Sequence, residues 1–114
     1  MALLNREQFL SAQDSKFVEV ALPELGGEVR IKSLSIAEQL QFEATATTSK
    51  SQNELVFDLI LISCVDDDNK QMFRKEDLTA IKAKSASSIT KLFKAILALN
   101  NLDEDEVDGL AKNS

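Results

Sequence analysis

The sequence predicts an α+β fold: a small antiparallel β-hairpin or three-stranded sheet packed against four to five helices. Three observations carry this expectation. Apolar residues alternate with polar ones on either side of a Pro-Glu-Leu-Gly-Gly loop, serines with capping geometry stand ahead of helical runs, and a wide apolar stripe at helical spacing runs from Ile89 to Leu99. At 114 residues the chain has room for a single core. Its 44% hydrophobic and 28% charged residues are ordinary for a globular domain, although the aromatics are six Phe alone.

Residues 1–15 form a flexible or short helical N-terminal segment ahead of a single domain over 16–114. Residues 6–12 suit a short helix, and the segment reads either as a frayed terminus or as an arm that contacts a partner. From Lys16 the period becomes two, with Val18, Val20 and Leu22 on one face and Glu19 and Ala21 on the other. The alternation resumes after Gly27, with Val29 and Ile31 inward and Glu28, Arg30 and Lys32 outward, which predicts a hairpin of 16–22 and 28–33. Proline presets φ and two glycines tolerate positive φ, so the loop has turn chemistry.

Ser35-Ile36-Ala37-Glu38 is a capping box and predicts a helix from Ile36 to about Thr47. Ile36, Leu40 and Ala44 line one side of it, and at about 100° per residue Phe42 points elsewhere, either into a second core element or toward a partner. The next helix begins at Gln52 or Asn53, and its body ELVFDLILISC is apolar on nearly every side, as befits the middle of a fold. Gln71-Met72-Phe73 suits a short third strand beside the hairpin. Residues 74–84 suit a short helix that buries Leu78 and Ile81. Ser85 caps a further helix in which Ile89, Leu92, Phe93, Ile96, Leu97 and Leu99 make a stripe about 160° wide, opposite Lys91 and Lys94. Asn100-Asn101 ends it. Asp103 and Glu106 then repeat the capping pattern ahead of Val107 and Leu110, predicting an acidic C-terminal helix.

Charge and composition exclude several functions. A formal charge of −6, from 19 acidic and 13 basic residues, argues against binding a nucleic-acid backbone. It favours solubility or a basic protein partner. The most apolar run, Leu55–Val65, is 11 residues long and interrupted by Asp58 and Ser63, too short for a membrane span, and Arg6 and Glu7 interrupt any signal-peptide core. Cys64 is the only cysteine and sits in an apolar run, so it reads as a small core residue in a reducing compartment.

Asp66, Asp67 and Asp68 raise the question of a cation. Against a calcium-binding loop, Lys70 stands at the fifth position, Gln71 replaces the glycine, and Asp77 replaces the final glutamate. The stretch DDDNK therefore reads as a turn, with no metal ligand assigned. The chain has no histidine and no phosphate loop, and its carboxylates lie in turns or on polar helix faces where nothing would raise a pKa. No enzyme activity and no cofactor are expected.

The succession VALPELGGEVRIKSLSIAEQLQFEA, LISCVDDDNKQMF, DLTAIKAKSASSITKLFKAILALNNL and the closing EVDGLAKNS resembles the tail assembly chaperones of long-tailed bacteriophages and prophages. Nearly the whole chain is covered. Leu25 stands where an aromatic is frequent in that family, and Gln39 where an arginine is frequent. The resemblance implies a protein of the infected bacterial cytoplasm, absent from the mature virion. It would bind the tape measure protein, keep it soluble without ATP, help recruit major tail tube subunits, and self-associate. It also implies a longer form made by programmed −1 frameshifting, for which Ala111-Lys112-Asn113 is compatible with the slippery codons GCA-AAA-AAC. A chaperone needs apolar surface for its partner, and the candidates are Leu3, Leu4, Phe9, Leu10, Phe42, Val107 and Leu110. Two other readings compete: a small acidic protein-interaction adaptor, and a structural head–tail or tail protein of the virion. Gene neighbourhood separates the first from a chaperone, and the composition of purified particles separates the second.

Overall fold

The computed structural model describes residues 2–46 and 52–102. Residues 47–51 and the predicted C-terminal helix with Val107 and Leu110 lie outside the described residues. Among the latter, five α-helices accompany a three-stranded antiparallel sheet, which is the α+β architecture expected.

Strands β1 (Phe17–Leu22) and β2 (Gly27–Lys32) form the hairpin, pairing Val18 with Ile31 and Val20 with Val29. Their connection is one turn of 3₁₀ helix, Pro23–Leu25. It closes where the Gly26 amide donates to the Pro23 carbonyl at 3.0 Å. Gly26 has φ 88°, a left-handed conformation that glycine adopts without Cβ strain. Val20, Leu22 and Ile31 are buried on the core face.

The third strand, β3, is Cys64–Val65, which pairs with β2 through Arg30↔Val65 and Ile31↔Cys64. Gln71-Met72-Phe73, expected there, lies outside it: Gln71 makes a single bridge to Val65, and the Met72 amide donates to the Cys64 carbonyl at 3.0 Å. The correction has a physical reason. Cys64 and Val65 are fully apolar and buried, whereas Gln71 and Met72 are exposed, so the buried position beside β2 goes to the end of the apolar run.

Helix α1 (Arg6–Ser11) precedes the sheet and buries none of its residues. Helix α2 (Ile36–Ala46) starts at the expected capping box: the Glu38 amide donates to Ser35 Oγ at 3.1 Å, and Glu38 Oε1 accepts from the Ser35 amide at 3.0 Å. Helix α3 (Gln52–Ser63) is the central element, with no exposed residue between Leu55 and Ser63. A second 3₁₀ turn, Lys75–Asp77, leads into α4 (Leu78–Lys82), which buries Ile81.

The amphipathic helix α5 (Ala86–Leu99) is capped by Ser85, buries Leu92, Phe93, Ile96 and Leu97, and packs on α3 and across β1 and β2. It ends in a Schellman arrangement. Asn101 takes φ 56°, its amide donates to the Ala98 carbonyl, and the Leu102 amide donates to the Leu97 carbonyl at 2.9 Å. Asn100 also joins distant parts of the chain, because its Oδ1 accepts from the Leu34 amide at 2.8 Å while its Nδ2 donates to the Ile96 carbonyl. No helix of the described residues is long and apolar enough to cross a membrane.

Of the two destinations that the sequence leaves open for Phe42, the structure selects the core. Phe42 is 3% exposed and belongs to the core with Ala46, while Ile36 and Leu40 are 69% and 57% exposed. That buried face also carries Glu38, four residues before Phe42. Glu38 Oε2 meets Lys32 Nζ on β2 at 2.6 Å, and positions 38, 42 and 46 share one face of a helix.

Candidate docking surface

Besides Phe17 and Val18 at the start of β1, apolar side chains that the core leaves uncovered fall into three places. The first is α1 and the residues before it. Asn5 and Gln8 make reciprocal cap bonds of 2.8 and 3.0 Å, which order the first turn, yet Leu3, Leu4, Phe9 and Leu10 all stand in solvent. An isolated helix of six residues has too few hydrogen bonds to offset its nucleation cost, so it is stabilised by whatever its side chains pack against.

The second place is the outer face of α2, with Ile36 and Leu40 one turn apart. The third is a groove of about 400 Å³ at the turn end of the hairpin, lined by Leu22, Leu25, Val29, Met72, Phe73 and Ile81 among others. Leu25 and Met72 project from its rim, and Asp77 and Lys84 supply its charges. A neighbouring groove of about 570 Å³ runs between Phe57 on α3 and Ile89 on α5. Lys84 and Ile89 line both, and the Lys82 ammonium lies 5.3 Å from the centre of the Phe57 ring.

Four of the seven residues proposed from sequence, Leu3, Leu4, Phe9 and Leu10, are exposed. Phe42 is corrected to a core residue, and Val107 and Leu110 lie outside the described residues. The sequence candidates omit Ile36 and Leu40, which pattern alone marks only as one apolar side of α2. Sequence reasoning missed the groove because Leu25, Met72 and Ile81 come from separate elements that no local pattern joins.

The aspartate stretch is organised as a turn. Asp66 Oδ1 accepts from the Asp68 and Lys70 amides at 2.9 and 3.0 Å, and Asn69 adopts φ 62°. Arg30 reaches across from β2 to donate to Asn69 Oδ1 at 2.9 Å. The three carboxylates approach one another within 4.8 Å, but one oxygen of Asp66 is already committed to two backbone amides and a guanidinium stands beside the loop.

Elsewhere, burial pushes the Cys64 thiol up to about 12, so the thiolate that nucleophilic chemistry needs is suppressed. Glu24 is held below the usual carboxylate range chiefly by the Ser88 hydroxyl, which donates to it at 2.6 Å. That contact joins the hairpin turn to α5. Comparison with known protein families, with curated proteins and with solved structures finds no match to this chain.

Proposed function

We propose that this protein is a phage tail assembly chaperone that binds the tape measure protein, keeps it soluble, and helps recruit tail tube subunits in the cytoplasm of the host. The observation that carries the reading is α1: a capped helix with Leu3, Leu4, Phe9 and Leu10 outward and nothing of its own buried. A holdase for a long apolar helical client needs such a surface on a body that stays soluble by itself. The charge of −6 supplies that solubility, and the 400 Å³ groove offers a second apolar seat for a client helix. The succession of motifs shared with tail assembly chaperones turns this general binding capacity toward the tape measure protein.

Co-expression with the tape measure protein of the same genome is the test. The expected outcome is that the long protein moves from the insoluble to the soluble fraction and co-purifies with this chain. A tape measure protein equally insoluble with and without it would refute the proposal, as would recovery of this chain from purified virions.

A further inference from the structure

Strand β1 is an edge of the sheet, since the strand order is β1-β2-β3. The Ser33 amide donates to the Lys16 carbonyl at 2.8 Å, and bonded pairs alternate along an antiparallel ladder. Val18, Val20 and Leu22 therefore bond to β2, while Phe17, Glu19 and Ala21 turn their N–H and C=O groups to the open side. Among the described residues no backbone group bonds to that side. Natural edges are usually blunted by proline, lysine or a bulge. β1 reads FVEVAL, with none of the three and an unbroken register over six residues. Phe17 and Val18, at the free start of the strand, are 41% and 42% exposed, although Val18 belongs to the core face.

We infer that the open edge of β1 pairs antiparallel with β1 of a second copy of this chain, with Val20 opposite Val20. A two-fold axis perpendicular to the sheet keeps each face continuous, so opposed positions must share a face. Two registers meet that condition with most of the strand paired. One sets Glu19 against Glu19, a like-charge pair that opposes association. The other sets Glu19 against Ala21 and exposed Val18 against buried Leu22, so the apolar face runs unbroken from one copy to the next. It also directs Lys16 toward Glu24 of the other copy, which makes the two ends complementary in charge. Identical edges satisfy all of this at once, so the occupant is a second copy of the chain. The inference stands on the sheet edge and does not depend on the chaperone reading.

The test combines sedimentation equilibrium with cross-linking of exposed strand residues. The full chain is expected to sediment as a dimer, and Val18→Lys as a monomer with an unchanged circular dichroism spectrum. An equimolar mixture of Glu19→Cys and Ala21→Cys is expected to form a disulfide-linked dimer under mild oxidation, because directly opposed bonded residues lie about 5.5 Å apart at Cα. Each variant alone should stay un-cross-linked, its own cysteines being diagonal at about 7–8 Å. A wild-type chain that remains monomeric overturns the inference, and so does Glu19→Cys cross-linking to itself, which would reveal the other register.

Discussion

The Lys32 ammonium lies 2.6 Å from a Glu38 carboxylate oxygen, on the same face of α2 that carries Phe42 and Ala46 into the core. Glu38 has two tasks, capping its own helix at the Ser35 amide and bridging to β2. Burial raises its pKa, but the hydrogen bonds from Lys32 and Ser35 outweigh that and leave it below the ordinary value of 4.5.

Replacing this residue, Glu38→Gln, keeps an oxygen for the Ser35 amide but removes the ion pair with Lys32, and should cost up to about 1 kcal/mol, the range of partly exposed pairs. The sign of the pH dependence follows from the lowered pKa. The stabilisation is present above the unfolded value of 4.5 and is lost as pH falls through the lower folded value. Urea denaturation of both proteins at neutral and acidic pH checks this: their difference should shrink on acidification, and a difference independent of pH would count against it.

Phe42 and Leu40 should respond oppositely to truncation. Phe42→Ala empties a core site and is expected to cost about 3–5 kcal/mol, whereas Leu40→Ser and Ile36→Ser remove exposed side chains and should change stability by about 0.5 kcal/mol or less. Equal losses on the two faces would mean that α2 is turned differently.

How much was legible in the sequence depended on whether the deciding contact was local. Val18, Val20, Leu22, Val29 and Ile31 alternate within one hairpin, and Ser35 and Ser85 signal helices that begin at the next residue, so these elements lie within one or two residues of where pattern places them. The facing of α2 was not legible, since apolar residues occur on both of its sides and the choice rests on packing against core residues outside the helix. Strand β3 is two residues long and carries no period of its own. Of the candidate surface, the apolar arm could be read directly from Leu3, Leu4, Phe9 and Leu10, while the groove exists only once three distant segments meet.

Cys64 is expected to be inert in the native protein. It is buried between β2 and the α3 end with its thiol pushed up to about 12. Ellman's reagent should therefore give essentially no reaction in buffer and one equivalent in strong denaturant; rapid native labelling would show that β3 opens readily.

The Ser63 hydroxyl is fully buried and has no hydrogen-bond partner among the described residues. An unsatisfied buried hydroxyl opposes folding, so Ser63→Ala should be neutral or stabilising by up to about 1 kcal/mol. A loss of stability in thermal or urea unfolding would show that the hydroxyl has a partner after all.

Which apolar surface serves the client can be resolved by charging each one separately. Leu4→Glu with Phe9→Glu alters α1, which buries nothing, and should leave the unfolding midpoint unchanged while abolishing solubilisation of the tape measure protein. Leu25→Asp with Met72→Asp charges the groove rim at two exposed positions and, on the proposed chaperone reading, should weaken capture less, because α1 and the residues before it expose four large apolar side chains against two at the rim. If the α1 variant retains full holding activity and the groove variant loses it, the order of importance is reversed. If both retain it, neither surface is the client site, and the exposed pair Ile36 and Leu40 becomes the next to charge.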